Sequence, residues 1–144
     1  MRLQNKILLA DDDPNDIELT LIALEEYSLH TNVVIVNNGV EALDYLYRRG
    51  QYADCKDPLP HLVLLDNKMP KMTGLDVLQT IKADPTLKKI PVVMLSSSKE
   101  DRDILESYAL GVNAYVVKPM IFDEFIQAVQ CLIRFWIHTN QAPI

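Results

Sequence analysis

The sequence lacks the features that mark secreted, membrane-spanning and nucleic-acid-binding chains. Its only two cysteines, Cys55 and Cys131, lie too far apart to form a metal-binding motif, and reduced thiols in an intracellular chain are the simpler interpretation. No apolar segment precedes Lys6, and no apolar run approaches the roughly 20 residues that span a bilayer. With 14 basic and 20 acidic residues the net charge is −6, which disfavours non-specific nucleic-acid binding. We therefore expect a cytoplasmic protein without membrane or nucleic-acid partners.

Five short apolar runs dominate the rest of the chain. They cover residues 7–10, 33–36, 62–65, 92–95 and 114–117. Each is too short for a helix and lacks polar alternation, which is typical of strands buried on both faces of a parallel sheet. Helical patterns follow each run, so the chain predicts one doubly wound α/β domain over residues 1–144, with right-handed crossovers.

Polar side chains follow four of the five predicted strands. Asp11 and Asp12 follow the first strand, Asp66 the third, Ser96 the fourth and Lys118 the fifth. Because right-handed crossovers place the carboxyl ends of parallel strands at one edge of the sheet, we expect these side chains to meet there. The second strand ends in uncharged turn residues, and in the strand order 2-1-3-4-5 it lies at the sheet margin.

Helix capping offers a simpler explanation for some of these polar residues. Asp13 before Pro14 predicts the cap of a first helix that ends between about Tyr27 and His30, and Asp16 adds the acid that the helix dipole favours. Ser98 with Asp101 has the spacing of a variant capping box. Asp66, taken alone, could equally cap the next helix.

The clustered acids predict a metal site with a nucleophile. Three crowded carboxylates would raise one another's pKa unless a divalent cation bridged them, and hard oxygen ligands suit Mg²⁺. Beside such a cation, Asp66 could attack phosphorus to form an acyl phosphate. Lys118 would then neutralise the phosphoryl oxygens, and Ser96 would donate a hydrogen bond to one of them.

Four motifs carry a resemblance to a known family. They cover residues 7–12, residues 64–66 with Met69-Pro70 and Gly74, residues 91–96, and residues 115–119. Over essentially its whole length the chain resembles the receiver domain of two-component response regulators. The resemblance implies a flavodoxin-like five-stranded sheet of order 2-1-3-4-5. It also implies a signalling module that accepts a phosphoryl group from a histidine kinase, with no output domain of its own.

The same resemblance implies a role for each matching residue. Asp66 would be the phosphoacceptor, Asp11 and Asp12 with the backbone carbonyl of Lys68 would organise Mg²⁺, Ser96 would be the switch hydroxyl and Tyr115 the switch aromatic. More narrowly, the chain looks like the small stand-alone regulators that partner phytochrome histidine kinases. Two features carry that match, the loop after Arg48-Arg49-Gly50 and the tail at residues 135–137. The loop from Gln51 to Pro60 could be a recognition feature or an inert insertion.

The last predicted helix, from about residue 123 to residue 138, has more apolar length than one small sheet covers. We expect Phe135, Trp136 and Ile137 to leave an exposed patch at the centre of a homodimer, formed by the face of strands 4 and 5 with helices 4 and 5. The alternative is a monomer in which Trp136 folds back over its own sheet.

Two other functions compete with signalling. A Mg²⁺-dependent aspartyl-phosphate phosphohydrolase would use the same cation and the same aspartate nucleophile as a receiver domain. It also needs a second acid two residues after that nucleophile, where this chain has Lys68. A pure interaction scaffold would not need working chemistry at all the predicted pocket positions. We therefore expect a phosphoacceptor rather than an enzyme.

Overall fold

Five parallel strands form one sheet in the order β2-β1-β3-β4-β5. The computed structural model describes residues 6–27, 29, 32–141 and 143. The strands are β1 (Ile7–Ala10), β2 (Val33–Val36), β3 (Leu62–Leu65), β4 (Val92–Ser96) and β5 (Ala114–Val117). The predicted flavodoxin-like fold, its strand order and the positions of its strands are confirmed.

Five α-helices cover the two faces of this sheet. They are α1 (Pro14–Glu25), α2 (Gly39–Tyr47), α3 (Gly74–Ala83), α4 (Asp101–Ala109) and α5 (Phe122–Ile133), with short 3₁₀ turns at Gly50–Tyr52 and Leu87–Lys89. Alternate side chains of each strand point to opposite faces, so Leu8 and Ala10 join one apolar core while Ile7 and Leu9 join the other. None of the helices described is long and apolar enough to cross a membrane.

The start of α1 follows the sequence prediction closely. The Asp13 carboxylate accepts hydrogen bonds from the backbone N–H groups of Asn15, at 2.9 Å, and Asp16, at 3.4 Å, and Pro14 is the first helical residue. The helix ends at Glu25, earlier than predicted. His30, at the far limit of the predicted helix end, lies outside the described residues.

The predicted capping box of α4 is wrong. The helix begins at Asp101 and its cap residue is Glu100, which makes no side-chain cap bond, so Ser98 lies too early in the chain to cap it. The Ser98 hydroxyl instead donates to the Asp103 carboxylate and accepts the Glu100 N–H at 3.3 Å. After the helix, Gly111 has φ +99°, a left-handed conformation that glycine adopts without strain.

Helical winding continues beyond α5 as a π-helical segment, Arg134–Thr139. The expectation that Phe135, Trp136 and Ile137 are all exposed is wrong for the last two. Trp136 and Ile137 continue the apolar stripe of Ile133 at helical spacing and pack, partly buried, against the core under α1 and α5. Phe135 lies off that stripe and is 48% exposed.

The long connection from α2 to β3 is anchored to the protein body at its base. The Arg48 guanidinium donates to the Asp57 backbone carbonyl at 2.7 Å, and the Tyr45 hydroxyl donates to the Asp57 carboxylate at 3.1 Å. Lys6 adds an ion pair to Asp57 at 3.6 Å. Burial and the neighbouring Asp57 raise the pKa of Tyr45 well above its ordinary value, so its hydroxyl keeps its proton. This anchored loop lies at the amino edge of the sheet, because it leads into the start of β3.

Candidate functional site

The carboxyl edge of the sheet brings three aspartates together. Asp11 and Asp12 follow β1, Asp66 follows β3, and their carboxylate oxygens approach within 4.8 Å of one another. The Asp66 backbone N–H donates to the Ala10 carbonyl at 2.9 Å, so the ladder between β1 and β3 extends into the site. Asp11 and Asp66 are buried, whereas Asp12 is exposed. Two anchored carboxylates and one solvent-facing carboxylate form an oxygen-rich cluster that a hard divalent cation fits.

Lys118 joins this cluster from the end of β5. Its ammonium group donates to Asp16 at 2.8 Å and to Asp11 at 3.0 Å, and it lies 3.6 Å from an oxygen of Asp66. The side chain is only 8% exposed, so the ion pairs are shielded from solvent. The pairing with Asp16 was not predicted, because the sequence assigned that residue to the helix dipole.

Burial controls the charge of the site. It raises the pKa of Asp66 to about 6, an effect that Lys118 and the Lys68 backbone N–H oppose and that Asp11 and Asp12 reinforce. Burial also raises the pKa of Asp11, against the Asp13 N–H bond and the Lys118 charge. For Lys118 burial lowers the pKa, but the bond to Asp16 and the charges of Asp11 and Asp66 together raise it above its ordinary value. The crowded acids therefore lack enough positive charge, which is the condition that favours cation binding.

The loop after Asp66 is clamped to the start of α3. The Gly74 N–H donates to the Asn67 carbonyl at 2.9 Å, and the Leu75 N–H donates to the Asn67 side chain at 3.2 Å. A β-carbon at Gly74 would come within 2.4 Å of the Asp66 carbonyl oxygen, so this close approach requires glycine. Thr73 caps α3 through a capping box with Asp76, which excludes the alternative that Asp66 is the cap.

Ser96 and Tyr115 are linked through a third residue, Ser98. The fully buried Ser96 hydroxyl accepts the Ser98 N–H at 3.2 Å. The Tyr115 hydroxyl donates to the Ser98 carbonyl at 2.9 Å, and the Ser98 hydroxyl donates to Asp103 on α4. Ser98 therefore connects the end of β4 to both β5 and α4, a role that the capping interpretation of this residue missed.

The end of β2, predicted to be without a role, supports the site through its backbone. The Asn37 side chain donates to the Asp11 carbonyl at 3.2 Å, and Asn38 caps α2 by accepting the Glu41 N–H at 2.9 Å. Neither side chain adds charge to the acidic cluster. The Asn37 bond instead helps to fix the backbone of Asp11.

Fold and site together define a class of α/β protein with an acidic, lysine-bearing pocket beyond the carboxyl ends of a parallel sheet. The family model of the response regulator receiver domain matches residues 7–130, and the chain belongs to that family. Response regulator Rcp1 of Synechocystis sp. (strain ATCC 27184 / PCC 6803 / Kazusa) is 36% identical over 137 residues, which cover 95% of this chain and 92% of Rcp1. The resemblance stated from the sequence motifs is confirmed.

Two solved structures extend the comparison to three dimensions. The phosphorylated cyanobacterial phytochrome response regulator RcpA is 42% identical, with a TM-score of 0.92 over 98% of this chain and 99% of RcpA. The Mn²⁺-bound form of response regulator Rcp1 is 34% identical, with a TM-score of 0.88 over 98% of this chain and 100% of that chain. The chain is thus a receiver domain with a phosphoacceptor signalling role, homologous to phytochrome response regulators.

Proposed function

We propose that Asp66 accepts a phosphoryl group from a phytochrome-type histidine kinase and that the modified domain changes its affinity for protein partners. The observation that carries this proposal is the position of Asp66. Its buried carboxylate lies beyond the end of β3, within 4.8 Å of carboxylate oxygens of two further acids and 3.6 Å from the Lys118 ammonium. A nucleophile and a charge-neutralising group are therefore adjacent, as phosphoryl transfer requires.

Each residue has a defined part in this reaction. An Asp66 carboxylate oxygen forms the new bond to phosphorus while the bond between phosphorus and its donor breaks, and the donor leaves with that electron pair. Lys118 donates hydrogen bonds to the phosphoryl oxygens as charge accumulates on them. The Ser96 hydroxyl donates to one of those oxygens once the acyl phosphate has formed.

Mg²⁺ is the cation that we propose for the acidic cluster. Asp11, Asp12 and Asp66 would supply carboxylate oxygens, and exposed Asp12 would leave room for retained water. The family resemblance adds the Lys68 backbone carbonyl as a further oxygen ligand. When bound, this ion supplies charge neutralisation at the phosphoryl oxygens. The solved structure of Rcp1 is a Mn²⁺-bound form, which supports a divalent ion in this chain as well.

Intact-mass measurement of the wild-type protein tests the proposal directly. Incubation with acetyl phosphate and MgCl₂ should add the mass of one phosphoryl group, and chelation of Mg²⁺ should prevent the gain. Uptake that survives chelation, or a phosphate mapped to a serine, would contradict the site.

We infer that the chain is a signalling phosphoacceptor rather than an enzyme that hydrolyses phosphate esters. Lys68 occupies the position two residues after Asp66 where an aspartyl-phosphate phosphohydrolase needs an acid, and its side chain is exposed. A lysine there can shield or expose the acyl phosphate to water, so it affects the lifetime of the phosphorylated state. A cytoplasmic location stays a prediction.

Ser96→Ala should separate phosphorylation from the conformational response. In the wild type, we expect a Ser96 side chain that moves toward the phosphoryl group to alter its contact with the Ser98 N–H, and with it the Ser98 carbonyl that holds Tyr115. We expect beryllofluoride to shift the ring NMR signals of Tyr115 in the wild type. The variant should still gain a phosphoryl group while its Tyr115 signals stay unchanged.

The exposed neighbour Ser97 provides a matched control for that experiment. Ser97→Ala should respond as the wild type does. Wild-type Tyr115 signals that do not move on beryllofluoride addition would rule out this route of propagation.

A homodimer through the face of β4, α4, β5 and α5 remains our proposal for assembly. Leu105 and Tyr108 on α4 are 69% and 52% exposed, and Phe135 beyond α5 adds an exposed aromatic ring. Because Trp136 also packs on its own core, Phe135→Ala tests the interface more cleanly than Trp136→Ala. We expect dimers of the wild type at tens of micromolar in sedimentation. Phe135→Ala should raise the dimer dissociation constant about tenfold.

Phe122→Ala is the control for the dimer, because Phe122 is exposed at the start of α5 and far along the helix from Phe135. It should leave sedimentation unchanged. A wild type that stays monomeric at these concentrations, with and without beryllofluoride, would contradict the dimer.

A further inference from the structure

The shortest contact of the Lys118 ammonium among the described residues is to Asp16, not to Asp66. The Lys118 ammonium lies 2.8 Å from Asp16 and 3.0 Å from Asp11, both within hydrogen-bonding distance. It is 3.6 Å from Asp66, which is an ion pair without a hydrogen bond. In the unphosphorylated protein, two of the three ammonium protons are therefore engaged by acids other than Asp66.

Asp16 is held in place by the first turns of α1. Its N–H donates to Asp13 at 3.4 Å, and its backbone carbonyl accepts the hydroxyl of buried Thr20 at 2.8 Å. The described acids close enough together to share a metal ion are Asp11, Asp12 and Asp66, and Asp16 is not among them. The contacts of the Asp16 carboxylate are thus with Lys118 rather than with the cation cluster.

This arrangement sets two demands on one ammonium group. In the resting state, the ammonium lies nearer to Asp16 than to Asp66 and makes no hydrogen bond to the Asp66 oxygens that would attack phosphorus. After transfer, the phosphoryl oxygens need the same ammonium for charge neutralisation. Asp16 is fixed by its helix and only partly exposed, so it competes for Lys118 with little solvent screening.

We propose that Asp16 is a positioning residue that competes with the phosphoryl group for Lys118 and so limits the stability of the phosphorylated state. The inference rests on the proposed function, because it takes Asp66 as the phosphoacceptor. Activation then includes an exchange of partners, in which Lys118 weakens its bond to Asp16 as it bonds to the phosphoryl oxygens. Relaxing the Asp16 contact favours the phosphorylated form.

Beryllofluoride affinity at saturating MgCl₂, followed by fluorine NMR, measures this competition without a covalent step. Asp16→Asn keeps the side-chain shape and removes the charge, and it should bind beryllofluoride about tenfold more tightly, a change of about 1.4 kcal/mol. Asp16→Ala should show the same direction, and Asp16→Glu, which keeps the charge, should stay near the wild-type affinity.

Glu18→Gln is the matched control, since Glu18 is exposed on the same helix and its change alters net charge equally. It should leave the affinity unchanged. An unchanged or weaker affinity in Asp16→Asn, or an equal gain in Glu18→Gln, would overturn the competition. If the wild type fails to bind, or Asp66→Asn still binds, the phosphoacceptor assignment fails instead, so the two failures are distinguishable.

Discussion

Asp66→Asn should abolish phosphoryl uptake from acetyl phosphate. The amide retains the shape of the side chain but lacks the carboxylate that attacks phosphorus, and Asp11, the other buried acid of the pocket, already accepts a hydrogen bond from Lys118. In intact-mass spectra the variant should remain at its unmodified mass under conditions that convert the wild type.

Asp54→Asn is the control, because Asp54 is an exposed aspartate in the loop at the opposite edge of the sheet. It should gain one phosphoryl group as the wild type does. A mass gain in Asp66→Asn that matches the wild type would show that another side chain is the acceptor.

Lys118→Met should be strongly destabilised at neutral pH. The substitution preserves most of the apolar stem and removes the only described cation in contact with Asp11, Asp16 and Asp66. Breaking a buried ion pair by removing one partner costs about 3–5 kcal/mol of unfolding free energy. The variant should also lose most of its phosphoryl uptake, since the phosphoryl oxygens would lack the ammonium group.

The destabilisation should depend on pH in a defined direction. Burial raises the pKa of Asp66 from 3.8 to about 6. A carboxylate with a raised pKa in the folded state favours folding while it is protonated, and this contribution is lost as the pH rises through the folded-state pKa. The Lys118 charge lowers the pKa of Asp66, so its removal raises that pKa further and increases the free-energy cost of ionising Asp66 in the folded protein. Lys118→Met should therefore lose more stability at pH 7.5 than at pH 5.

Urea unfolding at both pH values, in chelator and in MgCl₂, measures the effect. We expect Mg²⁺ to restore part of the lost stability at pH 7.5, because the cation replaces some of the missing positive charge. A loss of equal size at both pH values would indicate a packing defect rather than uncompensated acids.

The strands and the convergence of their ends could be predicted from the sequence because the signal is local. An uninterrupted apolar run such as residues 62–65 has few alternatives to a buried strand, and the crossover rule then places Asp66 beside Asp11 without knowledge of any contact. The cap at Asp13 was equally local, since one residue pair specified it.

The features that the sequence did not predict correctly depend on contacts between residues far apart in the chain. Asp16 and Lys118 are 102 positions apart, and helix-dipole chemistry explained Asp16 well enough to hide the pairing. One signal was available: Asp16 lies in the first turn of α1, which begins directly after the strand end that carries Asp11 and Asp12. The exposure of Trp136 was predicted wrongly for another reason. Whether the apolar stripe that continues α5 is buried depends on how far the core formed with α1 extends, which the sequence of α5 alone does not show.

The anchored loop between α2 and β3 makes the chain open to modular engineering. Its base is fixed where Arg48 and Tyr45 hold Asp57, while Ala53 and Asp54 at its tip face solvent. The contacts of Asp57 separate an insertion in this loop from β3, so we expect an inserted sequence to leave the strand undisturbed. The acidic pocket lies at the other end of that strand. A fluorescent reporter or an affinity tag placed between Ala53 and Asp54 would label the domain on the side away from the acidic pocket.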